Sequence, residues 1–193
     1  MDDTATLVAA AADGDAGAWK ELYQRYSGLV WAVARGYLVN DSDAQDVCQT
    51  TWYRFAEHLT RLREPERAGS WLASTARHEA LRVLRTGGRA LPVGDLELMG
   101  LDADDRSPEF LLLEAEEANE QAEREQELWS AFEELPERCR RLLRVLIAEP
   151  RPSYQEIADG LDMPVGSIGP NRGRCLKRLA VLMNRRGVNG IRG

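Results

Sequence analysis

The side chains that most often do covalent chemistry are scarce in this chain. It has two histidines, His58 and His78, and three cysteines, Cys48, Cys139 and Cys175. None stands in a metal-ligand cluster, no glycine-rich loop could cradle a phosphate, and no nucleophile elbow is present. The expectation is a protein with no catalytic centre, no metal and no cofactor. Its cysteines, far apart and set in apolar helical patterns, read as buried free thiols. Arginine is the abundant functional group. Between Thr60 and Arg89 stand Arg61, Arg63, Arg67, Arg77, Arg82, Arg85 and Arg89, against only Glu64, Glu66 and Glu79, a balance that favours phosphate. A second basic set, Asn171, Arg172, Arg174, Lys177 and Arg178, lies toward the C-terminus.

A net charge of -7 over 193 residues argues at first sight against a polyanionic partner. The charge is unevenly placed. Residues 1–89 carry 11 basic and 12 acidic side chains, 90–127 carry 2 and 13, and 128–193 carry 12 and 7. Nearly all the acidity therefore lies in one middle stretch, and phosphate binding depends on the field of a local face rather than on the total. No apolar run approaches the roughly 20 residues that cross a bilayer, and the MDD start lacks the basic residues of a secretory signal. A cytoplasmic protein is expected.

The elements that must position these side chains read as helices. Ala44, Val47, Cys48, Thr51, Trp52, Phe55 and Leu59 recur at steps of three and four, with Asp41, Ser42 and Asp43 as cap and negative first turn. Trp19, Leu22, Tyr23, Tyr26, Val30, Val33, Ala34 and Tyr37 repeat the pattern before it, predicting a helical hairpin. A third helix, GSWLASTARHEALRVLR, brings Trp71, Leu72, Thr75, Ala76, Ala80, Val83 and Leu84 to the same core. From Thr86 to Pro108 the sequence turns to glycine, proline and acids without a period. The predicted fold is all-α: a helical domain over 1–89, an acidic linker over 90–116 and a second domain over 117–193. The acid-rich helix that follows Pro108 reads either as a solvated face or as a nucleic-acid mimic that shields the basic C-terminal part.

The most specific local pattern comes last. Leu142, Leu143, Leu146 and Ile147 mark one helix, ended by Pro150 and Pro152. Ser153 and Glu156 then form a capping box, and Tyr154, Ile157, Ala158 and Leu161 give a short apolar stripe. After a turn at Asp162 and Met163 comes a basic helix, which is helix-turn-helix spacing. Its start holds Gly169-Pro170. Were the helix to begin at Pro164, Pro170 would be interior and cost about 3 kcal/mol. With Ser167 as cap, Pro170 falls in the first turn, where no hydrogen bond is lost, and Arg172 turns outward. Asn171, Arg174 and Arg178 then form a base-facing stripe, asparagine suiting adenine and arginine guanine, with Arg172 and Lys177 on the flanking phosphates.

These residues carry a resemblance. LPERCRRLL, the Ser153-Tyr154-x-Glu156-Ile157-Ala158 helix and Pro164-x-Gly166-Ser167-Ile168 resemble the C-terminal DNA-binding region of the extracytoplasmic-function sigma factors of bacterial RNA polymerase. Independently, LYQRY, DAQDVCQ and Trp71-Leu72-x-x-x-Ala76-Arg77 resemble that family's N-terminal region. The resemblance covers about residues 17–89 and 128–183 and implies a promoter-specificity subunit, not an enzyme. Asp46 and Gln49, with Gln45 where the family more often has Glu, would dock on the clamp helices of the polymerase core; a carboxylate and an amide three apart share one helix face. The seven arginines between Thr60 and Arg89 would recognise and open the downstream promoter element. An extruded base needs a platform, which the TRLREPERAGS loop would supply, while Trp52 and Trp71 could be platforms or core. The partners implied are core polymerase, duplex promoter DNA, its melted single strand and a cognate anti-sigma protein. His78 and Arg82 replace the family's usual Asn and Asp, leaving the downstream sequence open. A helix-turn-helix regulator that is no polymerase subunit remains the alternative. On either reading, Arg174→Ala is expected to weaken binding by about 1–3 kcal/mol and to relax base preference. Equal loss on every DNA in a binding titration would make Arg174 a phosphate contact instead.

Overall fold

The computed structural model describes residues 3–38, 40–86 and 108–186, and side chains outside 108–120. Arg89 and residues 90–107 of the acidic stretch lie outside the described residues. Helices occur at α1 (Asp3–Ala12), α2 (Ala16–Tyr37), α3 (Asp41–His58), α4 (Ala68–Thr86), α5 (Pro108–Glu133), α6 (Glu137–Leu146), α7 (Tyr154–Leu161) and α8 (Ile168–Arg185), with single 3-10 turns at Leu59–Arg61, Pro65–Arg67 and Val165–Ser167. No strand occurs among the described residues, so the all-α class expected from periodicity is the class observed. The chain forms two compact bodies, Met1–Gly94 with Arg141–Arg172, and Asp95–Arg140 with Gly173–Gly193.

The first body is built on α2, α3 and α4. Leu22, Leu29, Val30 and Val33 of α2, Val47 and Phe55 of α3, and Leu72, Ala73, Ala76 and Ala80 of α4 are all fully buried. Burial of side chains this size contributes about 1.5–3 kcal/mol for each large one. Asp15 caps α2, its Oδ1 accepting from the Gly17 and Ala18 amides at 2.7 and 3.0 Å. The cap of α3 is Asn40, whose side chain accepts from the Asp43 amide at 2.6 Å. This corrects the expectation that Asp41, Ser42 and Asp43 supply it: Asn40 is the residue with extended backbone, while Asp41 and Asp43 already lie in the first turn. Asp41 instead pairs with Arg35 at 2.9 Å. Helix α1, which no motif signalled, buries Thr4 and Val8 and places the Thr4 hydroxyl 3.3 Å from that of Tyr26. Burial raises the pKa of the Tyr26 phenol.

Some apolar positions face outward. Tyr23, Leu84, Ile147 and Tyr154 are between 40% and 67% exposed, against the inward places their periodicity predicts. In α4 full burial stops at Ala80, so Leu84 has no core to enter. One charge is buried with the apolar set: the Glu79 side chain, 4% exposed, accepts from Arg54 of α3 at 2.9 Å and from Arg82 of its own helix at 2.8 Å. Two cations satisfy a carboxylate that would be costly to bury alone.

The second body holds the end of α5, the start of α6 and the last part of α8. Ala131, Phe132, Leu135, Cys139, Cys175 and Met183 are buried. Cys139 and Cys175 form a disulfide with Cα atoms 5.3 Å apart, which overturns the expectation of three free thiols. The two residues are 36 positions apart on different helices, a separation over which spacing alone carries no pairing signal. Arg186 draws together Glu127, at 3.0 Å, and Glu134. In the first body, Glu79→Gln is expected to lower stability by about 1–3 kcal/mol, because two charge-assisted bonds from arginine are weakened at a buried acceptor. Urea unfolding measures this; an unchanged midpoint would show that the bridge contributes nothing net.

Candidate nucleic-acid interface

The first candidate surface lies between α2 and α3. Gln45, Asp46 and Gln49 are all exposed because the inward positions of α3 are taken by Ala44, Val47 and Thr51. They line an open groove of about 760 Å³ together with Tyr23, Ser27, Gly28, Trp31, Cys48 and Trp52. The aromatic side of this groove includes Tyr23, whose periodicity predicts an inward place, and Trp52, which the sequence leaves open as platform or core. Trp52 packs on Tyr23 with ring centroids 4.9 Å apart, and on Trp19 and Phe55 at 6.1 and 5.9 Å. Trp52 is therefore core on one face and groove wall on the other. Trp31, 38% exposed, adds an apolar edge. The groove offers a carboxylate and two amides beside exposed rings, a chemistry suited to a basic, partly apolar helical partner.

The second surface is a pocket of about 450 Å³ lined by His58, Arg61, Leu62, Arg63, Glu64, Arg67, Ser70, Trp71, Ser74 and Asp159. It combines cations with an aromatic floor: the Trp71 ring is 5.8 Å from the His58 ring and 5.7 Å from Phe55. Such a floor can stack a base while the rim holds phosphate. Of the seven arginines expected to act together, the six among the described residues separate into two groups. Arg61 and Arg63 line the pocket with no ion-pair partner among the described residues. Arg67 pairs with Glu64 at 2.8 Å and reaches Asp159 at 3.9 Å. Arg77 pairs with Asp162 at 3.0 Å, Arg82 serves Glu79, and Arg85 donates to the Leu81 carbonyl at 3.2 Å. Charge counting along the sequence cannot separate an arginine held by an acid from one facing solvent.

The third candidate is α7, the turn after it and α8. The capping box of Ser153 and Glu156 is present, with the Glu156 carboxylate accepting from the Ser153 amide at 2.7 Å. Asp162 ends α7 in the left-handed region at φ 54°, a conformation Asp tolerates better than most residues. The helix α8 begins at Ile168, so Pro170 lies in its first turn. Ser167 stands before it, but its hydroxyl donates backward to the Pro164 carbonyl at 2.7 Å instead of capping forward. The entry is a 3-10 turn, closed by the Ser167 amide on the same carbonyl at 2.9 Å. Arg172, Arg174, Lys177 and Arg178 are exposed, while Ile168 and Cys175 are buried. The Asn171 side chain donates to the Ser167 carbonyl at 2.8 Å.

The comparisons with known proteins agree with this geometry. Residues 22–90 match the family model of Sigma-70 region 2. The chain is similar in fold to a solved chain described as "Structure of CnrH in complex with the cytosolic domain of CnrY", at a TM-score of 0.57 and 22% identity, covering 94% of this chain and 97% of that one. No curated protein matches it in sequence. Residues 22–90 are thus similar to Sigma-70 region 2, and the described residues around them are all-α. No helix among the described residues is long and apolar enough to cross a membrane.

Cys48 lies on the wall of the α2/α3 groove, and its burial pushes the thiol pKa up to about 12. At pH 8 only about one molecule in ten thousand carries the thiolate there. Native alkylation followed by mass spectrometry is expected to leave Cys48 largely unmodified, with rapid labelling only after denaturation. Fast labelling of the native chain would place the thiol in solvent.

Proposed function

We propose that the chain confers promoter specificity on bacterial RNA polymerase by dividing the work among its surfaces. Residues 1–89 bind the core enzyme and open the downstream element, 90–116 form the acidic tether, and 117–193 bind the upstream element. The α2/α3 groove docks on the core through Gln45, Asp46 and Gln49. The pocket beside the Leu59–Arg67 turns takes the melted strand, with Arg61 and Arg63 on phosphate and Trp71 under a base. Arg67, Arg77, Arg82, Arg85 and Arg89 complete the downstream DNA set. Helix α8 reads the upstream duplex in a helix-turn-helix arrangement, with Asn171, Arg174 and Arg178 toward bases and Arg172 and Lys177 toward phosphates. The polymerase supplies all chemistry; the chain has no catalytic step or cofactor of its own and works where the polymerase is, in the cytoplasm. CnrH is described in complex with CnrY, and by that likeness a cognate anti-sigma protein controls this chain too.

The observation that carries this reading is the match of residues 22–90 to Sigma-70 region 2, over a segment whose exposed polar row and cationic pocket sit on one folded body. It is tested by reconstituting the chain with bacterial core polymerase and mapping transcript starts on genomic DNA. Asp46→Ala with Gln49→Ala is expected to weaken core binding at least about tenfold, as befits the loss of two charge-assisted or polar contacts, while leaving unfolding unchanged. Starts that share no upstream motif pair, or a chain that does not bind the core, would overturn the reading.

A further inference from the structure

Cys139 stands in the first turn of α6 and Cys175 inside α8, and their disulfide joins the two helices across 36 residues of chain. Both are buried, at 8% and 4% exposure. The body that holds them has a small core: among the described residues its other buried apolar side chains are Ala131, Phe132, Leu135 and Met183. A body with so little apolar contact leans on a covalent tie. A second tie, Arg186 to Glu127 at 3.0 Å and to Glu134, lies about three turns beyond Cys175. It is partly exposed, so salt screens it. Arg174, Lys177 and Arg178, the cations assigned to upstream DNA, are exposed on the turns of α8 that carry Cys175.

In the reducing compartment where the proposed function places the chain, disulfides are mostly transient and sense redox state. We propose that Cys139 and Cys175 form a reversible dithiol–disulfide site, exchanging with cellular dithiols and hydrogen peroxide, that sets how tightly α8 holds upstream DNA. The inference rests on the α8 reading given above. Oxidised, the bond pins α8 to α6 and holds its cations in one arrangement. Reduced, the body keeps only its small core and the Arg186 pairs, and the cations must be ordered at the moment of binding. Reduction starts when a thiolate of the dithiol attacks Sγ of Cys139, the less buried residue of the two. The S–S bond breaks with its electron pair on Sγ of Cys175, which takes up a proton. The reductant's second thiolate then attacks the sulfur joined to Cys139, closing the reductant's own disulfide and releasing Cys139, which is protonated in turn. In the other direction hydrogen peroxide gives one oxygen to the Cys139 thiol, leaving a sulfenic acid and water. The Cys175 thiol attacks that sulfur, loses its proton and expels the hydroxyl as a second water. Arg138 and Arg140 flank Cys139 in the chain and Arg174 precedes Cys175, a cationic setting that favours the thiolates both directions use.

The test equilibrates the full chain without oxygen in glutathione buffers of graded reduced-to-oxidised ratio. Each sample is split between fluorescence anisotropy with a duplex carrying the upstream sequence of the mapped starts, and acid quenching with alkylation of the denatured chain to count thiols. With three cysteines in the chain, the oxidised form shows one free thiol and the reduced form three. The count is expected to change from one to three within the series, with Kd rising about tenfold in step, and hydrogen peroxide should restore both. Cys139→Ala with Cys175→Ala should bind like the reduced form at every ratio; if circular dichroism shows that this variant has lost its helices, the natural chain's titration decides alone. A count that stays at one throughout would make the bond a fixed structural one and overturn the proposal, as would a bond that never forms or a Kd indifferent to the count. Arg174→Ala with Arg178→Ala is the control for the underlying reading. If it binds as the natural chain does in both states, α8 is not the reader and the switch falls with it; if it weakens binding while the thiol state changes nothing, only the switch fails.

Discussion

The first body depends on the small residues of α4. Ala68, Ala73, Ala76 and Ala80 are fully buried, and Gly69 and Ser70 nearly so. A helix so lined can bring its backbone close to several neighbours at once, and α4 packs against α2, α3 and α7. Close packing gains dispersion only where shapes interlock without voids. Larger residues at these positions would force the neighbours apart, and with them the pocket floor of Trp71 and the buried bridge at Glu79. The polar surfaces are thus consequences of an apolar constraint.

That constraint also explains which features were legible in the sequence. Helix existence followed from periodicity, and the capping box at Ser153 and Glu156 from a local pattern whose partners are three residues apart. The exposure of Gln45, Asp46 and Gln49 followed because α3 has one plain apolar face. Long-range facts were not legible. Gly69 and Gly160 look like ordinary weak points in helices, and only the approach of another element shows why they are glycine. The partners of Cys139 and Arg77 and the second partner of Arg67 lie 36, 85 and 92 positions away in the chain, beyond any window in which spacing has meaning. Helix α1 was missed because its apolar content is mostly alanine, which marks no face.

Local chemistry also misleads where several residues could fill one role. Asp41, Ser42 and Asp43 are all good caps, yet Asn40 caps α3, since the role goes to the residue where the backbone leaves the extended region. At the start of α8 the reverse holds. Ser167 occupies the boundary position, but its hydroxyl turns back to the Pro164 carbonyl. Pro170 has no amide to offer, so a forward cap at that point has one fewer donor to satisfy. The Gly-Pro pair therefore sets where the helix begins, and that start leaves Arg172 exposed between the buried Ile168 and Cys175.

The net charge of -7 is then no obstacle to binding DNA, because what matters is which cations lack an internal acid. Arg82 is committed to Glu79 and to the fold; its loss would first be felt as stability. Arg67 and Arg77 are shared between acids of this chain and whatever competes for them. Arg61 and Arg63 in the pocket, and Arg172, Lys177 and Arg178 on α8, have no ion-pair partner among the described residues. An unpaired surface cation keeps its full hydration and counterions, and releasing those counterions is what drives binding to a polyanion. The sets expected to hold phosphate therefore divide by physics into structural, contested and vacant members, and only the vacant ones bind without first breaking a bond inside the protein.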